Sequence, residues 1–211
     1  MSMFDALPLA RRLLDALDHR DLTVVDVGCG DGSFLAELVG HRTGVTGVGF
    51  EPDPDGFGLA QKQVAARGLA AVIDLRNAGA LSAVEVDVPE GREVCFMAAF
   101  VLQEVLEQEG EQALRAMLER SVARNPGAHW LVIEVDHRPQ DPAVMRHGLG
   151  VAYYNPYYLL HVLTEQRLAP RAFWERLFDS AGLEVLAVAH PDEQIDSTGL
   201  EVGYLLRARV R

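Results

Sequence analysis

The sequence predicts an α/β protein built on a seven-stranded, mostly parallel β-sheet with an antiparallel last strand and helices on both faces. Six short apolar runs alternate with stretches of helical periodicity along the chain, which is the pattern of a parallel sheet wrapped by helices. A seventh apolar run follows the sixth without room for a crossover helix, so these two strands should pair antiparallel. A chain of 211 residues, 49% of them hydrophobic, can close one sizeable core, and we expect one domain over residues 1–211.

Each apolar run is too short for a buried helix, and most runs are rich in strand-forming residues. The predicted strands are Leu22–Val27, Val45–Phe50, Ala70–Leu75, Val94–Phe100, Trp130–Val135, Leu183–Val188 and Glu201–Arg209. Helical spacing predicts helices over Met1–Leu17, Ser33–Val39, Asp55–Arg67, Gln108–Asn125 and Arg171–Ala181. Pro170 stands where the last helix should begin, and Gly68 and Gly182 stand where helices should end.

One stretch, residues 136–169, shows no regular pattern and has the length of an insertion. It contains four of the five tyrosines: Tyr153, Tyr154, Tyr157 and Tyr158. Long irregular segments inside compact domains are usually functional or disordered, and the aromatic content argues against disorder. We therefore expect an aromatic-rich insertion over about 137–169 that forms a lid or a wall for a substrate.

Composition restricts the partners of this protein. The net charge of −12 repels phosphate backbones, which argues against nucleic-acid binding and favours a small-molecule substrate. The two cysteines, Cys29 and Cys95, lie in glycine-rich or apolar segments, so we expect free thiols and a reducing cytoplasm. No apolar run approaches the roughly 20 residues that span a bilayer. We expect a cytoplasmic monomer or homodimer that has no membrane partner.

The first predicted strand runs directly into Gly28, Gly30 and Gly32 and then into a helix. Glycines let the backbone approach a ligand closely, and the helix N-terminus supplies free N–H groups. The alternative is a tight turn without a ligand. A dinucleotide site, as in a nucleotide-dependent oxidoreductase, is disfavoured because Ser33 occupies the place of its third glycine.

The segment Asp26–Gly32, with the sequence DVGCGDG, resembles the first motif of the class I S-adenosylmethionine-dependent methyltransferases, which have a Rossmann-like fold. Glu51 follows Gly28 by 23 residues, where a carboxylate can accept both ribose hydroxyls of a nucleoside. Asn77 stands where this family reads adenine and usually carries Asp. The resemblance implies S-adenosylmethionine as the cofactor and these binding residues: Asp26, Gly28, Cys29, Gly30, Glu51, Asn77, Ala78 and Phe100. For Asp26 the alternative role is loop capping, and for Phe100 it is core packing.

His137 closely follows the fifth predicted strand, and His190 closely follows the sixth. Both can face the crevice at the carboxyl edge of the sheet, where open α/β folds bind ligands. Two neutral imidazoles with open coordination positions would suit Fe, Zn or a similar metal. The alternatives are that both are ordinary loop histidines, or that His161 in the aromatic insertion replaces one of them.

The segments Glu134–Arg138 and Val151–Tyr158, together with His190, resemble the C-methyltransferases of α-keto acids, of the phenylpyruvate and 2-ketoarginine type. This resemblance implies a metal that is held by two histidines and chelates the keto acid. It also implies a base that removes a proton from the β carbon. The candidate bases are Asp136 and Glu104.

Other functions stay open at this stage. One is an O- or N-methyltransferase of a small metabolite, and another is a non-catalytic protein that binds the cofactor. A catalytic small-molecule methyltransferase should order Asp136, His137 and His190 around one cavity, whereas a binding module should leave them scattered.

Overall fold

The protein forms one seven-stranded sheet, as predicted. A computed structural model describes residues 4–17, 21–164 and 166–209. The strands are β1 (Leu22–Asp26), β2 (Thr46–Phe50), β3 (Ile73–Arg76), β4 (Glu93–Ala99), β5 (His129–Val135), β6 (Leu183–Ala189) and β7 (Glu201–Ala208). Their order in the sheet is β3-β2-β1-β4-β5-β7-β6. Strand β7 lies between β5 and β6 and runs antiparallel to both, while the other pairs are parallel. The antiparallel pairing of the last two strands is thus confirmed.

The helices in the described part of the chain cover both faces of the sheet. They are α1 (Ala6–Asp15), α2 (Ser33–Gly40), α3 (Pro54–Ala66), α4 (Ala80–Ala83), α5 (Leu102–Gln108), α6 (Gly110–Arg124), α7 (Pro142–Met145), α8 (Asn155–Leu163) and α9 (Arg171–Ser180), with a π-helix at Gly150–Tyr154. Pro170 is the N-cap of α9, as predicted. Gly68 and Gly182 directly follow helix ends with φ angles of 69° and 81°, a conformation that other residues disfavour. Among the described residues, no helix combines the length and apolar character that crossing a membrane requires.

One predicted strand boundary is wrong and one helix was not predicted, and local backbone geometry explains both. Strand β3 begins at Ile73 instead of Ala70, because the amide of Ile73 first donates to the carbonyl of Leu69 in a turn after α3. The helix predicted over Gln108–Asn125 is α6, and a separate helix, α5, precedes it and meets it at Gly110 with a φ of 84°. Such a left-handed residue interrupts a helix.

The aromatic insertion is mostly helical, so the prediction of an irregular stretch is wrong. It contains α7, the π-helix and α8. Tyr153, Tyr157 and His161 are spaced four residues apart and lie on one side of these helices, with ring centroids 5.8 Å apart for the first pair and 3.8 Å for the second. This spacing is typical of one helix face, and it was the signal for the helical conformation.

Two apolar layers fix the helices to the sheet. On one face, buried side chains of α1 and α2 pack against β1, β4 and β5. On the other, side chains of α5, α6 and α9 pack around Trp130, whose ring stacks on Phe96 at 5.0 Å. A smaller cluster of Val135, Met145, Tyr154, Tyr158 and Leu200 anchors the insertion beside the end of β5. The carboxyl ends of the parallel strands therefore carry rigid segments on both sides.

We predict that Ser121→Ala lowers the free energy of unfolding by about 1 to 3 kcal/mol, because it leaves a buried indole N–H without an acceptor. Trp130 Nε1 donates to Ser121 Oγ at 2.8 Å, and both residues are fully buried. Ser180→Ala is the matched control, since Ser180 Oγ also donates to a carbonyl three residues earlier. Urea denaturation measures both variants. Equal losses in the two would contradict a role for the indole bond.

Candidate active site

The candidate site lies at the carboxyl edge of the sheet, where strands β1 and β4 are neighbours. The chain continues from β1 to β2 on one side, and from β4 to β5 on the other. In open α/β sheets, ligands bind in the crevice outside such a switch point. Asp26 ends β1 in register with Gly49 of β2 and Met97 of β4. The glycine loop therefore begins in the middle of this crevice.

Each glycine of the loop is required for its own reason. A Cβ atom on Gly28 would lie 2.6 Å from Val101 Cγ2, so the loop backbone passes close to the Val101 side chain at this position. Gly32 has a φ of 74° and faces Ala60 of α3. A Cβ atom on Gly32 would lie 3.0 Å from the Cβ of Ala60. Gly30 has a φ of 54°, and no described atom lies within 4 Å of a Cβ built there. The space beside Gly30 is thus available to a ligand.

The Glu51 carboxylate connects the glycine loop to the start of α3. Its Oε2 accepts from the amide of Gly30 and its Oε1 from the amide of Asp53, both at 2.9 Å. Asp53 in turn caps α3, since its Oδ2 accepts from Gly56 at 2.8 Å. A carboxylate has about four acceptor sites. Two are used, so two remain for the hydroxyls of a ribose.

Asn77 is held by the same loop. Its Nδ2 donates to the carbonyls of Glu51 at 2.8 Å and Pro52 at 3.1 Å. These bonds turn Oδ1, an acceptor, to the opposite side, where it suits the exocyclic amine of adenine. An Asp could not donate to those carbonyls, which gives a physical reason for the amide here. The amide of Ala78 is tied to the carbonyl of Arg76 at 3.0 Å.

Asp26 and Cys29 are buried beneath the loop. Burial raises the pKa of Asp26 to about 7, partly opposed by a hydrogen bond from the Gly28 amide to its Oδ1. Burial also raises the pKa of the Cys29 thiol. The Cys29 amide donates to Phe50 at 2.8 Å, and its sulfur packs against Gly49. Cys29 is therefore committed to packing, and both Cys29 and Cys95 are free thiols.

Phe100 directly follows β4 and has a φ of 60°, unique among the non-glycine residues that the structure describes. Its amide donates to Ile133 of β5 at 2.8 Å, which holds this conformation. A non-glycine residue in the left-handed region costs about 1 to 3 kcal/mol, and such strain clusters at functional sites. The resemblance places Phe100 at the cofactor, and this contact stays a prediction.

A cavity of about 280 Å³ opens beside Phe100. Its described lining consists of Asp5, Phe100, Gln103, Glu104, Tyr153, Tyr157, His161, Gln166 and Glu201. Burial and the nearby charge of Glu51 raise the pKa of Glu104, so this carboxyl lies close to the cofactor loop. Tyr153 and Tyr157 of the aromatic insertion belong to this lining, and the role of the insertion as a lid or wall for a substrate stays a prediction. Sequence reasoning missed Gln103 and Glu201, although an antiparallel last strand necessarily starts at the carboxyl edge and could have identified Glu201.

Glu134 positions the helix that carries Gln103 and Glu104. Its Oε1 accepts from the amide of Leu102, the first residue of α5, at 3.0 Å. A side chain on β5 thus supplies the cap that Val101, the N-cap residue of α5, does not. Burial raises the pKa of Glu134 well above its ordinary value.

Asp136 and His137 lie outside the lining of the cavity. Asp136 Oδ1 accepts from the Arg171 amide at 2.7 Å, and Oδ2 forms an ion pair with Arg138 Nε at 3.1 Å. Both carboxylate oxygens are thus engaged in fixing α9 and the insertion. The His137 ring meets Tyr158 edge-on at 4.7 Å, and burial lowers the pKa of its imidazole.

His190 has different neighbours. Its Nδ1 lies 2.9 Å from the carbonyl of Glu201, and its own carbonyl accepts from Arg12. Among the described residues, neither His137 nor His190 lines the cavity, and no group of three His, Cys, Asp or Glu side chains is placed to hold a metal. Asp136, His137 and His190 are therefore not gathered around the cavity that holds Glu104, and their joint metal binding stays a prediction.

Comparison with known proteins agrees with the motif. Residues 4–188 match the sequence profile of a methyltransferase domain family. The 2-ketoarginine methyltransferase of Streptomyces arginensis is 51% identical over 214 residues, an alignment that includes 99% of this chain. It includes 60% of the relative, so the chain spans less than two thirds of the length of that protein.

Solved structures share the fold at low identity. The mitomycin 7-O-methyltransferase MmcR is 22% identical, with a TM-score of 0.68 over 97% of this chain and 54% of its own. The mycolic acid cyclopropane synthase CmaA1, solved with SAH, is 16% identical, with a TM-score of 0.64 over 95% and 83% of the two chains. These likenesses confirm the Rossmann-like fold, which by itself serves several reactions. Because the family profile covers most of the sequence, this chain belongs to the methyltransferase domain family.

Proposed function

We propose that this chain is an S-adenosylmethionine-dependent methyltransferase, acting as one domain over residues 1–211, that methylates the carbon next to the ketone of an α-keto acid. The observation that carries the proposal is the 51% identity to a 2-ketoarginine methyltransferase over 99% of this chain. The cavity beside the glycine loop supports it, because an acceptor there would lie next to the cofactor.

The cofactor is assigned to the glycine loop and the two loops beside it. Glu51 accepts hydrogen bonds from the ribose hydroxyls. It uses the acceptor sites that its two bonds to backbone amides leave free. Asn77 presents Oδ1 to the adenine amine, and Ala78 lies beside it. Asp26 and the open space at Gly30 lie toward the methionine end. Cys29 contributes packing beneath the loop.

Glu104 is the proposed base. It removes a proton from the carbon next to the ketone, and the resulting electron pair attacks the methyl carbon of the sulfonium. A C–C bond forms, the S–CH3 bond breaks, and S-adenosylhomocysteine leaves while the proton stays on Glu104. The raised pKa of Glu104 makes it a stronger base than an ordinary carboxylate. Asp136, the other predicted base, is less suited because both of its oxygens are engaged.

The predicted Fe or Zn site at His137 and His190 stays a prediction and has no assigned place at the cavity. A metal held by His137 and His190 would acidify the carbon next to a chelated ketone. Both histidines lie outside the described lining of the cavity, and His190 Nδ1 is bonded to the carbonyl of Glu201, which would leave its Nε2 free to ligate. No step of the proposed reaction is therefore assigned to a metal, and elemental analysis of the purified protein tests the prediction.

The proposal is tested with labelled S-adenosylmethionine and a panel of α-keto acids, with and without a chelator. We expect a labelled keto acid whose new methyl group is bonded to carbon. Label on oxygen or nitrogen would indicate the alternative small-metabolite methyltransferase. Cofactor binding without any transfer would indicate a non-catalytic binding protein, and either result would overturn the proposal.

We predict that Gly30→Ala weakens cofactor binding at least about tenfold, since the added methyl group enters the space assigned to the ligand. Gly68→Ala is the matched control, because Gly68 has the same sign of φ and similarly open surroundings but follows α3 at the other edge of the sheet. Both variants should lose about 1 kcal/mol of stability. Calorimetric titration with S-adenosylhomocysteine compares them, and equal affinities would remove Gly30 from the site.

We predict that Glu104→Gln lowers kcat by about 100-fold or more and leaves cofactor affinity unchanged, because the amide cannot accept the proton. The wild-type rate should fall as pH drops through the raised pKa of Glu104, at higher pH than for an ordinary glutamate. Glu107→Gln, an exposed position of the same helix, is the control. A Glu104→Gln enzyme with normal turnover would exclude Glu104 as the base.

A further inference from the structure

The polar lining of the cavity is rich in hydrogen-bond acceptors. Carboxylates come from Asp5, Glu104 and Glu201, and amides come from Gln103 and Gln166. No Lys or Arg belongs to the described lining. This lining favours a ligand that donates hydrogen bonds, and a cation would also offset the charge of the clustered carboxyl groups.

The orientation of the Gln103 amide follows from its neighbours. His161 Nδ1 lies 2.7 Å from the carbonyl of Tyr157, which can only accept, so Nδ1 carries the proton and Nε2 is an acceptor. Gln103 Nε2 lies 3.1 Å from that Nε2 and donates to Gln166 Oε1 at 2.8 Å. The nitrogen of Gln103 is thus committed to protein partners. Its oxygen Oε1 has no partner among the described residues, and Gln103 is only 1% exposed.

Glu201 shows the same feature at the start of β7. The residue is 4% exposed, and its Oε1 has no hydrogen-bond partner among the described residues. Its backbone is fixed by pairing with Val135 of β5. Buried acceptors are almost always satisfied in folded proteins, and those left over need an explanation such as a missing ligand. Two unsatisfied acceptors on the lining of one cavity point to the same ligand.

We infer that Glu201 and Gln103 form a specificity subsite for a guanidinium group at the far end of the substrate. This inference rests on the proposed methylation of an α-keto acid. A guanidinium carries five N–H donors in one plane and no acceptor. It can therefore satisfy both free oxygens at once. Tyr153 and Tyr157, which also line the cavity with ring centroids 5.8 Å apart, offer aromatic faces to such a planar cation.

The subsite is tested with two substrates of the same shape. One is 2-ketoarginine, and the other is the α-keto acid that carries a neutral urea in place of the guanidinium. Calorimetry in the presence of S-adenosylhomocysteine gives both dissociation constants. The wild type should bind the guanidino acid at least about tenfold more tightly. Glu201→Gln should abolish most of this preference by weakening the guanidino acid alone. Glu119→Gln, on the exposed side of α6, is the control and should retain it.

The outcomes separate this inference from the proposed reaction. Equal affinities of the wild type for the two acids, binding of neither acid, or equal weakening of both by Glu201→Gln, would overturn the subsite even if methyl transfer occurs. Selective guanidino binding without methyl transfer would support the subsite and overturn the reaction. Gln103→Met removes the second acceptor and should lower the same preference, and it serves as the test if Glu201→Gln does not fold.

Discussion

The interaction on which the site depends is the pair of backbone hydrogen bonds accepted by the Glu51 carboxylate. They join the amide of Gly30, after β1, to the amide of Asp53, before α3. The same stretch of chain accepts the Asn77 amide through the Glu51 carbonyl, so loops after three neighbouring strands share one anchor. A carboxylate held from two sides keeps its remaining acceptor sites in fixed directions. The proposed cofactor site is thus largely formed before any ligand binds.

Packing and charge shape the side of the crevice that contains the cavity for the proposed substrate. Glu134 caps α5, the aromatic helices form a wall, and the start of β7 brings Glu201 to the cavity. Burial raises the pKa of Asp26 to about 7 and that of Glu201 to about 8, above the values of the unfolded chain. Their favourable contribution to stability is present below about pH 4 and is lost as pH rises through these values. The site is therefore maintained against a cost in stability near neutral pH, which donor groups of ligands would reduce.

The sequence predicted the parts that depend on local pattern. The alternating apolar runs predicted the sheet, and the glycine loop with Glu51 predicted the family. Both patterns are local, because strand ends and glycines constrain the backbone directly. The helical nature of the insertion was missed although Tyr153, Tyr157 and His161 have helical spacing. Gln103 and Glu201 depend on how distant segments meet, which periodicity does not report. His137 and His190 do not belong to the described lining of the cavity, because a position near a strand end does not fix the direction of a side chain.

The central claim is that the Glu51 carboxylate holds the cofactor. Calorimetric titration of the wild type and Glu51→Ala with S-adenosylhomocysteine, alongside circular dichroism of both, measures this most directly. Loss of charge-assisted hydrogen bonds to the ribose should weaken binding between about 10-fold and 150-fold while the fold is retained. A folded Glu51→Ala protein that binds the cofactor with wild-type affinity would contradict the account.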